Sequence, residues 1–337
     1  MSKRGDRGGI FREARPLQQS PRVTSPRLLP LLLLALAGLA AGCADDQPTV
    51  IPGEALAADA PDLVPPDVVL PVVGGDDYLA LSDLRGRKLI VHFFASWCPE
   101  CRERLIDWQQ ASADLGDDVL TVVIAQEQHP ERSRLFLDWR GIDALLLADP
   151  LDLYEVPYVP ITLLVDEQGW AHHAPAAARA EEGLAWLQAE RRRRPPVRLP
   201  EADVAALTDV EALYAEASAD DATAEDWRRY AQSLFLARDP GLLTSAVDAW
   251  ETLLELEPRD PDGFLHFRLG TAYRARYDSA HRRPGDFRAA VGHWHQALRR
   301  NPDNWLFHRR LQQYGPTLDK PHAFYDWLPP ARQQLAA

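Results

Sequence analysis

An apolar run that ends in a cysteine pair constrains this chain more than any other stretch: Phe93-Phe94-Ala95-Ser96-Trp97-Cys98-Pro99-Glu100-Cys101-Arg102. Upstream, Leu89, Ile90, Val91, Phe93 and Phe94 follow almost without interruption, as in a strand covered on both faces. Cys98 and Cys101 then stand at i and i+3. In the first turn of a helix that spacing puts both sulfurs on one face, close enough to bridge. Pro99 suits such a turn, where its missing N–H would have no partner. The helix N-terminus stabilises a thiolate on the first cysteine. A buried strand, a sharp turn and a helix start therefore meet at a dithiol fit for disulfide exchange.

The surroundings extend this unit over residues 67–194. Leu105, Trp108 and Leu115 give the cysteine-bearing helix an apolar side. Val119–Ala125 reads as a second buried strand, and Glu131–Trp139 as a helix crossing back. Ile161–Val165 is a third strand, closed by the turn Asp166-Glu167-Gln168-Gly169. A short strand near Trp170–His173 and a helix over Ala178–Arg193 follow. The order predicts an α/β fold, a central mixed sheet flanked by helices.

This order of elements around Trp-Cys-x-x-Cys resembles the thioredoxin superfamily, and within it the exported TlpA/ResA-like thiol–disulfide oxidoreductases. Two further segments carry the resemblance: Asp83-Leu84-Arg85-Gly86-Arg87 ahead of the strand, and Tyr154-Glu155-Val156-Pro157-Tyr158-Val159-Pro160-Ile161-Thr162 later. The resemblance implies that Cys98 is the attacking thiolate and Cys101 the resolving thiol. Trp97 would shield the dithiol, and Pro160 would be the cis-proline that presents the backbone of Val159 to a substrate strand. No cofactor beyond the Cys98–Cys101 pair is implied, and no metal.

Departures from the family pattern are informative. Tyr158 stands where a glycine is usual, which predicts a bulkier substrate-docking loop. Glu103, not Arg104, is the acid after the motif, one place earlier than in some relatives. His92 occupies the place of thioredoxin's buried Asp. It reads either as a proton acceptor for the resolving thiol, titrating near neutrality, or as a hydrogen-bonded core histidine. Glu100 lies between the cysteines, and a carboxylate there disfavours the thiolate and weakens the pair as an oxidant. That favours a reductant, or a carrier of middling potential, over a strong oxidase.

The N-terminus reads as an export signal over residues 1–42. Arg12, Arg15, Arg22 and Arg27 precede the apolar run Leu28–Ala41, about the length of a secretory core segment and short for a spanning helix. It ends Leu39-Ala40-Ala41-Gly42-Cys43, which resembles a bacterial lipoprotein signal and implies lipidation of Cys43. The other reading is an uncleaved anchor with Cys43 as a bystander. Both hold the body at a membrane on an extracytoplasmic, periplasmic-type face. The Pro/Ala/Asp-rich stretch 43–66 reads as a flexible tether. The formal charge is −13; without residues 1–42 it is −18, which argues against a nucleic-acid partner. Three cysteines in all exclude a disulfide-stapled scaffold and a Cys₄ zinc site.

Arg191–Arg194 and Pro195-Pro196 end the first unit, and 195–203 reads as a linker. From 204 to 337 the pattern is helical. Leu269-Gly270-x-x-Tyr273, the alanines Ala289, Ala290 and Ala297, and Asn301-Pro302 resemble tetratricopeptide repeats. Val204–Ala217 and Trp305–Tyr314 would serve as caps, and a generic helical bundle is the alternative. His293 and His295 at i, i+2 do not share a helix face and make no metal pair. The aromatic tail Lys320–Trp327 has no readable role.

The sequence therefore predicts a membrane-anchored thiol–disulfide oxidoreductase acting on protein disulfides, fed by a reductant, with helical repeats that dock a client or partner. A different class competes with it: an adaptor whose thioredoxin-like unit is a rigid mount. A thiol peroxidase lacks its Thr-x-x-Cys, and a copper carrier lacks a histidine near Pro160.

Overall fold

Residues 88–94 form the central strand of a six-stranded sheet, in keeping with their nearly continuous apolar run. The computed structural model describes residues 68–174, 179–189, 197–312 and 325–336. The stretches read as an export signal and a tether, Cys43 and the run 191–194 lie outside the described residues. All described residues fall within one compact unit.

Strands among them are β1 (Val69–Pro71), β2 (Tyr78–Ala80), β3 (Lys88–Phe94), β4 (Val119–Ala125), β5 (Leu145–Ala148), β6 (Ile161–Val165), β7 (Trp170–Ala174) and β8 (Val197–Arg198). Helices are α1 (Pro99–Ser112), α2 (Glu131–Arg140), α3 (Ala180–Gln188), α4 (Val204–Thr208), α5 (Val210–Ala217), α6 (Ala224–Leu236), α7 (Leu243–Leu256), α8 (Phe264–Asp278), α9 (Asp286–Arg300), α10 (Trp305–Gln312) and α11 (Leu328–Leu335).

The sheet order is β5-β4-β3-β6-β7-β8. β3, β4 and β5 run parallel, joined through α1 and α2, and β6, β7 and β8 run antiparallel. Side chains of β3 alternate between two cores. Leu89, Val91 and Phe93 enter one; Ile90 enters another with Trp108, Leu164 and Leu184. Burial on both faces explains why the strand is largely apolar. Gly169 closes the β6–β7 turn at φ +85°, a conformation glycine adopts without steric cost. The result is a thioredoxin-like α/β domain followed by a mostly helical region, the fold class expected.

Four strands escaped the sequence reading, β1, β2, β5 and β8. β5 is four residues long and rich in leucine, so neither period nor propensity separates it from a helix fragment. β8 lies within the stretch read as a linker, where it pairs with β7 at the sheet edge. The last helix of the first unit, expected over 178–193, is described over Ala180–Gln188.

In the helical region each helix from α5 to α10 packs on its chain neighbour. Asp203, Asp209 and Thr223 cap the starts of α4, α5 and α6, and Thr223 completes a capping box with Asp226. The core does not stop between the two parts. One buried apolar cluster runs from Leu89 and Phe93, through Leu153, Val156 and Tyr158, to Leu269, Trp250 and Leu306.

Candidate active site

The site is built where β3 ends. Phe94 O accepts a bond from Gln126 N at 2.8 Å, which holds the ends of β3 and β4 together. The chain then turns through Ala95–Trp97, and Cys98 becomes the N-cap of α1 with Pro99 as the first helical residue. The cap group is sulfur: Cys98 Sγ accepts the backbone N–H of Cys101 at 3.1 Å. Cys98 and Cys101 are joined by a disulfide with Cα atoms 5.2 Å apart. Both are nearly covered, 6% and 2% exposed, with Cys98 the more accessible of the two.

Across from Cys98 the Val159–Pro160 peptide bond is cis, and Cys98 Sγ lies 3.8 Å from the Val159 carbonyl oxygen. Cys98, Cys101, Trp97, Pro99, Val159 and Pro160 are thus brought to one place. Glu100 is exposed on the outer side of the first turn. Tyr158 is not part of a bulky docking face. Its side chain is buried in the large core, and burial raises its phenol pKa. The position tolerates a large residue because the loop turns it inward at this point.

His92 lies on β3, paired in register with Thr162 of β6. Its Nδ1 is 3.1 Å from Thr162 Oγ1, and its ring meets Trp108 edge-on at 5.7 Å. Burial first, and then the charge of Arg104, lowers its pKa to about 3. At neutral pH the ring is uncharged and a weak base, not the near-neutral acceptor the sequence allowed. It has the surroundings of a core histidine.

The buried acid near the motif is instead Glu127, which the sequence reading missed. Ser96 N donates to its carboxylate at 3.1 Å, Ser96 Oγ at 2.8 Å, and Ser133 Oγ donates as well. Burial raises its pKa against the pull of these bonds. A signal existed: Glu127 follows a buried strand at the carboxyl end of the sheet, where sites of open α/β sheets form. Ser96 O, two residues before Cys98, accepts bonds from Arg102 at 2.9 Å and from Trp327 Nε1 at 3.0 Å. Every polar group of Ser96 is therefore held.

Trp327 comes from the aromatic tail. It is buried in the same cluster as Cys98 and Cys101, stacks on Trp139 and meets Phe136 edge-on. Its neighbour Asp326 pairs with Arg102 at 3.3 Å. From α10, the Arg309 guanidinium lies 5.1 Å from the Trp97 ring centre. The helical region also grips the loop leading to Pro160. Arg268 of α8 donates to Leu151 O at 3.3 Å, Asp152 O at 3.0 Å and the Glu155 carboxylate at 3.0 Å. Arg310 donates to Pro150 O at 3.2 Å and to Gln128. Trp305 N donates to Pro157 O at 2.7 Å. Asp149 and Asp152 brace the same loop from within by accepting Leu153 N and Val156 N. The helical region thus packs directly on the loops that carry the redox site.

Among the described residues no group of three or more His, Cys, Asp or Glu side chains is placed to hold a metal, and no helix is long and apolar enough to cross a membrane.

A bridged cysteine pair capping a helix beside a cis-proline strand entry, on this sheet, is the arrangement of thioredoxin-like redox domains. The AhpC/TSA family profile matches residues 60–174, which include Cys98, Cys101 and Pro160 and none of the helical region. Thioredoxin-like protein YneN of Bacillus subtilis is 26% identical over 110 residues, 31% of this chain and 64% of that protein. Sporulation thiol-disulfide oxidoreductase A of the same organism is 26% identical over 126 residues, 35% of this chain and 75% of its own. The match to the first of these relatives thus spans just under two thirds of its length. The crystal structure of StoA from Bacillus subtilis shares 23% identity, covering 36% of this chain and 95% of that one, with a TM-score of 0.30.

Proposed function

We propose that this chain is an extracytoplasmic protein thiol–disulfide oxidoreductase, held at a membrane by lipid on Cys43, in which Cys98 and Cys101 reduce the disulfides of protein clients. The observation that carries the proposal is the Cys98–Cys101 bridge at the start of α1, with Sγ of Cys98 3.8 Å from the carbonyl of Val159 at a cis-proline. In the reduced form the Cys98 thiolate attacks one sulfur of a client disulfide. A mixed disulfide forms and one client thiolate leaves. The Cys101 thiolate then attacks Cys98 Sγ, releasing the second client thiol and closing the Cys98–Cys101 bridge. Two electrons pass to the client, and an external dithiol of lower potential restores the pair.

Cys98 is the natural attacker because it caps α1, where the helix dipole and the Cys101 N–H stabilise its thiolate. Trp97 and Pro99 shape the approach to it, and Val159 and Pro160 receive the client backbone. Glu100, exposed beside the pair, biases it toward the reducing direction. Export and lipidation rest on the sequence of residues 1–43. We read 204–337 as tetratricopeptide-like repeats, a reading supported by successive helix pairing and by the close approach of α8 and α9 at Gly270.

Cys101→Ser leaves a mixed disulfide on Cys98 unresolved. Membranes carrying this variant should yield covalent, thiol-reversible adducts that Cys98→Ser,Cys101→Ser does not form. Absence of adducts, with full loss of phenotype on disrupting the helical region alone, favours the adaptor. A potential as oxidising as about −120 mV sinks the reducing direction.

A further inference from the structure

Helix α10 touches both halves of the redox site. At its first residue, the Trp305 N–H donates to Pro157 O at 2.7 Å, three residues before the cis-proline. One turn later the guanidinium of Arg309 lies 5.1 Å from the ring of Trp97, the residue before Cys98. Through its first backbone N–H and the Arg309 side chain, α10 therefore reaches both the cis-proline loop and the cysteine loop. The two ends differ in exposure. Arg309 is buried, whereas Trp305 leaves 41% of its surface in solvent. The Trp305 ring rests on His308, centres 5.5 Å apart, which limits its freedom. A large, partly exposed aromatic whose backbone is held against the cis-proline loop is of the residue type that dominates interface energetics.

We propose that α10 forms a third wall of the client site and that Trp305 is a specificity-determining residue, receiving an apolar or aromatic side chain of the polypeptide that bears the client disulfide. The inference rests on Cys98–Cys101 being the exchange pair and deepens that reading by naming what the helical region contributes. Distance sets the register. Pro157 and Pro160 are three residues apart, at most about 10 Å along the chain. An extended client advances about 3.3 Å per residue. A client segment laid against Val159 therefore brings a residue within about three positions of its reacting cysteine toward Trp305.

The test uses the full chain, reduced beforehand, with disulfide-linked dimers of a short synthetic peptide carrying Phe three residues before or after cysteine, or Ser in the same place. The wild type should favour one of the two Phe peptides over its Ser counterpart by about tenfold in kcat/KM, through KM. Trp305→Ala should abolish that preference by raising KM for the Phe peptide about tenfold, with the kcat and the potential of the Cys98–Cys101 pair retained. Trp305→Phe should restore most of it. Equal rates for Phe and Ser peptides in the wild type overturn the inference, as does a Trp305→Ala defect that is the same for both peptides. A wild type unable to exchange even with oxidised glutathione overturns the redox reading itself, and this inference with it.

Discussion

His92 shows how burial can reverse a residue's expected role. Its pKa falls from 6.5 to about 3 because the imidazolium would be taken out of water with no counter-charge, beside Arg104. Between those values the unfolded chain binds a proton that the folded chain does not. Stability therefore falls as pH drops from about 6.5 toward 3, by at most about 1.4 kcal/mol per pH unit from this group. Urea unfolding across that range should show the decline, and His92→Gln should flatten it. A rate profile with an inflection near pH 6.5 that His92→Gln removes would restore the proton-acceptor role. Sequence position pointed to His92, but only neighbours from β6 and α1 decide its charge. Glu127 is the opposite case, inconspicuous in sequence and central in space, because its partners Ser96 and Ser133 lie on different elements.

At the scale of elements, α8 and α9 pack closely because Gly270 has no side chain. A Cβ there would lie 2.7 Å from Trp294 Cδ1 and 3.0 Å from Ala290 O. Trp294 is fully buried and its Nε1 donates to Phe267 O at 3.2 Å, so it has little room to yield. Gly270→Ala should destabilise the fold by about 1–3 kcal/mol through overpacking, even though alanine is the better helix former. Chemical denaturation measures it, and an unchanged or higher midpoint would refute the close-packing account. The elements best read from sequence were those with a long, one-sided or unbroken apolar pattern: β3, β4, α1 and α6. β5 and β8 were not legible, since four and two residues carry too little periodicity and their pairing partners are remote in sequence.

Taken as a whole, the molecule couples its two parts through buried polar contacts as well as shared apolar surface. Arg268 supplies donors to two loop carbonyls and a carboxylate. Arg268→Met would leave those carbonyls without their partner in a buried setting, a loss of about 2–3 kcal/mol. The wild type should unfold in one transition whether followed by helical circular dichroism or by tryptophan fluorescence, and Arg268→Met should lower both midpoints together. Two separate wild-type transitions would mean that the parts fold independently, contrary to the continuous core. The tail residue Trp327 belongs to the same logic. It closes the cysteine loop from the far end of the chain, through one hydrogen bond and an aromatic cluster.

Local order alone specified the redox half: an apolar strand leading into Trp-Cys-Pro-Glu-Cys, and a later proline entering another strand. Those properties depend on near neighbours, on helix-start geometry and on the period of apolar residues, so a linear reading recovers them. Tertiary structure decided what surrounds the dithiol. Tyr158 turns into the core, His92 loses its charge, Glu127 anchors Ser96, and α8, α10 and the Trp327 tail close on the loops that carry Cys98 and Pro160. Each of these depends on groups brought together from more than thirty to more than two hundred residues apart, and burial and hydrogen-bond satisfaction exist only once the chain has closed on itself.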